Sequence, residues 1–177
     1  MSLILGFSGS FSNESINHEL VIYASSLCTK VDTKVIRLSD FEAPVYSKDL
    51  EKLKGIPESI KNLRELFDQA DGFMISTPEY NSSLPGGFKN TLDWLSRMEG
   101  KIFQDKPVLL MAASPGGRGG QSVLNHLSGV MPFWGAKLIG PFSLPKFGEH
   151  FQNGNIIEPE LDGKLRSLVG ELESTLS

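Results

Sequence analysis

Short apolar segments that resemble strands alternate with segments of helical periodicity along the chain, and this alternation constrains the fold most strongly. Val108–Ala113 is almost wholly apolar, and Phe73–Ile75 is apolar throughout. Strands buried on both faces lose the alternation of polar and apolar residues, which matches these two segments. Before the second of them, Ile60, Leu63 and Phe67 recur at helical spacing. The order of elements therefore predicts a parallel sheet covered by helices on both faces.

The complete pattern is five strands, each followed by a helix. The predicted strands cover Leu3–Phe7, Thr33–Leu38, Phe73–Thr77, Val108–Ala113 and Ala136–Ile139, and the helices begin near Ile16, Pro57, Phe88, Ser122 and Pro159. The segment from Ser39 to Gly55 is expected to be irregular. Five strands in about 140 residues favour a flavodoxin-like α/β fold, a three-layer α/β/α sandwich with strand order 2-1-3-4-5. A chain of 177 residues has the size of one domain, so residues 1–177 are predicted to form a single unit.

Charge and composition exclude several classes of partner. The chain carries 17 Lys and Arg against 21 Asp and Glu, a net charge of −4, and has no basic face for nucleic acid. Its apolar stretches are far shorter than the roughly 20 residues of a membrane span. The start of the chain, Met1–Gly6, has the pattern of a strand and not of a signal peptide. Cys28 is the single cysteine, so the expectation is a cytoplasmic protein without an internal disulfide.

Three loops at predicted strand ends have unusual compositions. The first, Gly9–Asn17, holds three serines and two asparagines between a strand and a helix. A helix start offers unpaired N–H groups and partial positive charge, which suits an anion, although these residue types also cap helices without any ligand. No lysine accompanies them, so the loop that binds nucleoside triphosphates is absent.

The other two loops are rich in aromatic, amide and glycine residues. Thr77–Gly87 contains Tyr80 and Asn81 and could grip a flat heterocycle, or it could be a surface turn between prolines. Ser114–Gly120 has four glycines in seven positions, which would let backbone amides approach a ligand or would make a plain turn. Since ligands bind beyond the carboxyl ends of such strands, the three loops are predicted to form one site.

At these loops the sequence resembles the NADPH-dependent FMN reductase family, which includes chromate, azo and quinone reductases. Gly9-Ser10, Ser15 and Asn17 match the family's segment after the first strand, while Ser12 stands where an arginine is common. A second and more specific segment also matches: Pro78-Glu79-Tyr80-Asn81, Pro85-Gly86, Lys89-Asn90 and Asp93-Trp94. The resemblance covers about residues 3 to 140.

The resemblance implies FMN as the cofactor and NADPH or NADH as co-substrate. By analogy, the FMN phosphate would be held by Ser10, Ser12, Ser15, the N–H of Ile16, and Asn17. Pro78, Glu79, Tyr80 and Asn81 would line the isoalloxazine ring, and Ser114, Gly116 and Gly117 would approach its pyrimidine side or the ribityl chain. The family also implies a homodimer or homotetramer. No acid, base or metal ligand is identified.

The expected activity is hydride transfer from NAD(P)H to FMN and then to a flavin, a quinone or a similar small-molecule acceptor. In such enzymes the flavin carries the electrons, while the protein supplies binding, orientation and electrostatics. The alternative is an FMN-binding electron carrier or sensor with little turnover, because a flavodoxin-like domain can serve that role as well.

Overall fold

The computed structural model describes residues 2–176, and its central feature is a parallel sheet of five strands. The strands are β1 (Leu3–Ser8), β2 (Asp32–Arg37), β3 (Gly72–Ser76), β4 (Lys106–Ala113) and β5 (Ala136–Leu144). Their spatial order is β2-β1-β3-β4-β5, and neighbouring strands run parallel. This arrangement confirms the predicted flavodoxin-like sheet. The carboxyl ends of β1, β3 and β4 lie side by side at one edge of the sheet, and the three unusual loops begin there.

The helices cover both faces of this sheet. They are α1 (Ile16–Ser26), α2 (Lys48–Lys54), α3 (Glu58–Gln69), α4 (Gly86–Leu95), α5 (Gln121–Val130), α6 (Phe147–His150) and α7 (Pro159–Ser174). Buried side chains of α3, α4 and α5 pack on one face, and those of α1 and α7 pack on the other. Every described residue of β3 is buried, which explains its uninterrupted apolar sequence.

Polar contacts also hold the last helix to the first. The hydroxyl of Tyr23 on α1 hydrogen-bonds the Asp162 carboxylate on α7, and Arg166 Nε lies 2.7 Å from the same carboxylate. Burial, reinforced by that hydrogen bond to Asp162, raises the pKa of Tyr23. The buried Glu173 carboxylate accepts from the amides of Thr29 and Lys30 at 2.8 and 2.7 Å. The two helices on this face are therefore fixed to each other.

Two local predictions differ from the structure, and one hairpin was not predicted. The segment expected to be irregular contains a 3-10 turn at Leu38–Phe41 and the helix α2. The last strand does not stop at Ile139: β5 continues to Leu144. A short antiparallel hairpin, β6 (Phe151–Gln152) with β7 (Asn155–Ile156), was not predicted and follows α6. Within residues 2–176, no helix is long and apolar enough to cross a membrane.

Candidate functional site

A cleft of about 280 Å³ opens at the carboxyl edge of the sheet, between the ends of β1, β3 and β4. Its lining comes from all three unusual loops: Ser10, Ser12, Glu14, Ser15, Ile16, Asn17, Pro78, Glu79, Tyr80, Ala113, Ser114 and Pro115. Nine of the twelve residues predicted for a cofactor site are in this lining. Asn81, Gly116 and Gly117 are not, and Glu14, Ala113 and Pro115 join it without having been predicted.

The start of α1 faces the cleft with two unpaired backbone amides. Ser15 caps the helix, since its hydroxyl oxygen accepts from His18 N at 3.3 Å, and its hydroxyl hydrogen remains free to donate. The N–H groups of Ile16 and Asn17 have no acceptor among the described residues. In the preceding turn, Ser10 N and Ser12 N are already bonded to the hydroxyls of Ser8 and Ser10. The free amides at the helix start are thus the strongest anion-binding feature of the loop.

Asn17 ties this helix start to two other strand ends. Its side chain is 1% exposed. Its Oδ1 accepts from Ser76 Oγ at 2.7 Å and from Ala113 N at 2.8 Å, while its Nδ2 donates to Ala113 O at 3.0 Å. The carbonyl oxygen of this side chain is therefore fully used inside the protein. Contact of Asn17 with a bound phosphate stays a prediction, and the atom available for it is the backbone nitrogen.

Glu79 occupies the start of α5. Its Oε2 accepts from Ser122 N at 2.9 Å and from Val123 N at 3.1 Å, and a carboxylate there also opposes the partial positive charge of the helix end. The residue before α5 is Gly120, which has no side chain that could act as a cap. Sequence reasoning missed this role of Glu79. A helix that lacks a capping residue of its own was the signal that an acceptor must come from elsewhere.

Tyr80 begins a tight turn at the mouth of the cleft. Its backbone exchanges two hydrogen bonds with Ser83, at 2.9 and 3.1 Å. Asn81 and Ser82 between them have φ of 51° and 63°, a left-handed conformation that asparagine tolerates better than most residues. Ser83 Oγ lies 3.0 Å from His126 Nδ1 on α5. Tyr80, which begins this turn, is 48% exposed beside the cleft.

The third loop is held by hydrogen bonds to the backbone carbonyl of Gly116. Ser114 Oγ donates to Gly116 O at 2.9 Å, and the same carbonyl accepts from Lys146 N at 2.9 Å. A Cβ added at Gly116 or Gly117 would meet no atom within 4 Å. The protein itself does not require glycine at these two positions, and the space beside them is open to a ligand.

A neighbouring cleft of about 250 Å³ is less suited to an anion. It is lined by Phe11, Glu42, Ala43, Val45, Gly86, Gly87, Asn90 and Thr91. Its side-chain amide is already used, because Asn90 Oδ1 accepts from Tyr46 N and Asn90 Nδ2 donates to the carbonyls of Ala43 and Pro44. Thr91 Oγ1 donates to Gly87 O. This cleft has no counterpart to the three serine hydroxyls of the first cleft, so the first cleft is better suited to an anion.

Burial and a nearby positive charge lower the pKa of one histidine in the first turn of α1. His18, in the first turn of α1, has its pKa lowered by burial and by the positive charge of Arg37, against a smaller opposing effect of Asp40.

Within the described chain, no group of three or more His, Cys, Asp or Glu side chains is placed to hold a metal ion.

Comparison with known families gives one extended match. The profile of the family described as NADPH-dependent FMN reductase matches residues 2–149. That range contains every lining residue of the first cleft.

Individual relatives agree with the family match. The chain is 38% identical to a quinone reductase of Escherichia coli over 138 residues, which is 74% of this chain and 70% of that protein. It is 34% identical to an NAD(P)H-dependent FMN reductase of Pseudomonas aeruginosa, over 73% of this chain and 69% of that one. Among solved structures, a flavoenzyme NAD(P)H:(acceptor) oxidoreductase from Paracoccus denitrificans superposes with a TM-score of 0.80, at 25% identity and 98% coverage of both chains.

Proposed function

The chain belongs to the NADPH-dependent FMN reductase family, and from this premise we propose that it is an FMN-containing oxidoreductase that passes electrons from NAD(P)H to a small-molecule acceptor. The observation that carries the proposal is the first cleft, where free helix amides and hydroxyls lie opposite an exposed aromatic side chain. Phosphate at one end and a flat ring at the other are what FMN presents to a protein.

The phosphate end of the cleft fits the cofactor chemically. The unpaired amides of Ile16 and Asn17 and the hydroxyls of Ser10, Ser12 and Ser15 supply the short donors that a phosphate accepts from at a helix start. Because Glu79 already occupies the start of α5, the start of α1 is the one of these two helix ends that is left to a phosphate in the first cleft.

The ring end of the cleft is supported by the two later loops. Pro78, Glu79 and Tyr80 line the cleft and would border the isoalloxazine ring, with the exposed Tyr80 at the mouth. Asn81, which follows outside the lining, stays part of the proposal as the next residue of the same turn. Ser114, Gly116 and Gly117 would border the pyrimidine side of the ring, because the space where a Cβ would stand on either glycine is open and leaves room for close approach of backbone amides.

The chain contributes binding and orientation to the reaction. FMN, when bound, supplies the hydride-accepting and hydride-donating chemistry. Backbone N–H groups that face the pyrimidine side would favour negative charge developing there. The side chains of the cleft hold and orient the reactants, and we assign none of them as an acid or base.

The acceptor is proposed to be a quinone or a flavin. Support comes from the relatives named quinone reductase and FMN reductase. We further propose that residues 1–177 act as one FMN-binding domain, that the protein forms a homodimer or homotetramer as the family resemblance implies, and that it works in the cytoplasm, where NAD(P)H is available. Size-exclusion chromatography with light scattering tests the oligomer.

The activity is tested by anaerobic reduction of the FMN-loaded protein. NADPH and NADH are each mixed with it in a stopped-flow instrument, and the visible flavin absorption is followed. We expect rapid bleaching, and recovery of the colour when a quinone is added. Slow or absent bleaching with the flavin still bound would favour the alternative role of a carrier or sensor. Failure of the protein to bind FMN at all would overturn both.

A further inference from the structure

The phosphate end of the first cleft lacks a positive side chain of its own. Residues 9–17 contain no lysine or arginine, and their one charged side chain is Glu14, which lines the cleft. A phosphate monoester carries roughly −1.5 to −2 charges at neutral pH. Backbone amides and hydroxyls offer only partial charges, so a full counter-charge would have to come from another element.

Arg37 is the cation that the fold brings to this loop. It ends β2, directly beside Ser8 at the end of β1. Its Nη1 donates to the carbonyl oxygen of Asn13, inside the turn that leads to α1, at 3.2 Å. Within residues 2–176 its Nε and Nη2 have no hydrogen-bond or ion-pair partner. One edge of the guanidinium therefore braces the turn while further N–H groups remain available.

The lowered pKa of His18 agrees with this placement of the charge. His18 lies two residues after Ile16, at the helix start that offers the free amides. Burial is the largest cause of the lowered pKa of His18, and the positive charge of Arg37 is the second. Asp40 opposes them with a smaller effect. The field of Arg37 thus reaches the first turn of α1.

We propose that Arg37 supplies the counter-charge for the phosphate group of FMN, acting from β2 across the turn of residues 9–17. The inference rests on the proposed function, because it names a further binding residue of the same site. It assigns to a neighbouring strand the charge that the turn does not carry. A second phosphate source is the 2′-phosphate of NADPH, and the experiment separates the two.

The test compares FMN with riboflavin, which lacks the phosphate. Binding of each to the flavin-free protein is measured by quenching of flavin fluorescence, for wild type, Arg37→Gln, Arg37→Lys and the control Lys34→Gln. Lys34 is an exposed cation on the same strand, so its variant makes the same change in net charge. We expect Arg37→Gln to weaken FMN binding by about tenfold, within the range for a lost charge-assisted contact. Riboflavin binding should be unchanged in all variants, and Arg37→Lys should fall between wild type and Arg37→Gln for FMN.

A second-site variant and a salt series complete the test. Placing the charge inside the turn with Ser12→Arg, in the Arg37→Gln background, should restore FMN affinity, and added salt should weaken FMN binding more in wild type than in Arg37→Gln. Equal loss of FMN and riboflavin affinity would mean that Arg37 only supports the fold, and this would overturn the inference. So would unchanged FMN affinity with a raised KM for NADPH but not for NADH, which would assign Arg37 to the nucleotide. If wild type binds neither flavin, the proposed function itself fails.

Discussion

Gly9 is the residue on which the approach of the first loop to the sheet depends. Its N–H donates to Ser76 O at 2.9 Å, and a Cβ there would lie 2.7 Å from Thr77 Oγ1 and 2.8 Å from a ring carbon of Phe88. Both contacts are closer than van der Waals distance. We therefore expect Gly9→Ala to lower the free energy of unfolding by about 1–3 kcal/mol, the usual range for overpacking.

Urea unfolding of the flavin-free protein measures this effect. Gly116→Ala is the matched control, since it adds the same methyl group to another loop after a strand but meets no atom within 4 Å. Equal stability of the two variants would show that the loop relaxes around the added group.

Cys28 is predicted to be an unreactive thiol. Burial, reinforced by the negative charge of Glu173, raises its pKa to about 12. At about pH 8 only around one molecule in 10,000 would then carry the reactive thiolate. We expect native protein to react very slowly with iodoacetamide, whereas the urea-unfolded chain reacts fast. Rapid labelling of the native protein, read by mass spectrometry, would contradict this expectation.

Helix α5 depends on a cap supplied by another loop. Removing the Glu79 carboxylate leaves the amides of Ser122 and Val123 without their acceptor and removes a favourable charge at the helix start. Glu79→Ala should therefore lower the free energy of unfolding by about 1–2 kcal/mol, and Glu79→Gln by less because its amide oxygen can still accept. Glu14→Ala is the control, as it removes a carboxylate from the same cleft that has no hydrogen-bond partner in the described chain. Equal effects in urea unfolding would show that the cap contributes little.

The long helices were predictable because each buries an apolar face, and β3 and β4 because their buried residues form an almost unbroken apolar run. Helix α2 was not, since none of its residues is fully buried; only Ser47, which caps Leu50 N at 3.1 Å, and the acidic and basic ends of the helix mark it. The strand β5 was predicted to end at Ile139, directly before Gly140-Pro141, but it continues to Leu144. It lies at the edge of the sheet, where proline is tolerated, and its register with β4 shifts at that point.

The candidate site was predictable in outline for a different reason. Parallel strands bring their carboxyl ends to one edge whatever the details of packing, so three loops distant in sequence could be assigned to one cleft. The connections inside it were not accessible, because the bonds from Asn17 to Ala113 and from Glu79 to Ser122 span 96 and 43 residues. Such partners depend on helix positions to within an ångström, which composition and spacing do not specify.

The stability of the complete fold should fall on mild acidification through His18. In the folded protein its pKa is lowered, so the folded state resists a proton that the unfolded chain accepts. Above the unfolded pKa of about 6.5 both states are neutral and the residue makes no difference. As the pH falls below that value, the unfolded chain binds the proton first and the free energy of unfolding decreases.

Urea unfolding between about pH 8 and pH 5 measures this dependence, in a range chosen to lie above the ordinary carboxyl pKa values. We expect a shallower fall in His18→Gln than in wild type. Parallel curves for the two proteins would show that His18 is protonated equally easily in both states.

The carboxylate of Glu79 makes the two ends of the cleft electrostatically different. The starts of α1 and α5 both lie beside this cleft, and the Glu79 carboxylate already occupies the start of α5. We therefore expect a ligand with an anionic tail and a neutral flat ring to bind with its tail toward the free amides of α1 and its ring toward Tyr80, because the reverse orientation would place the anion beside the Glu79 carboxylate. In this orientation the flat ring, and not the anionic tail, would be the end that meets the electron donor.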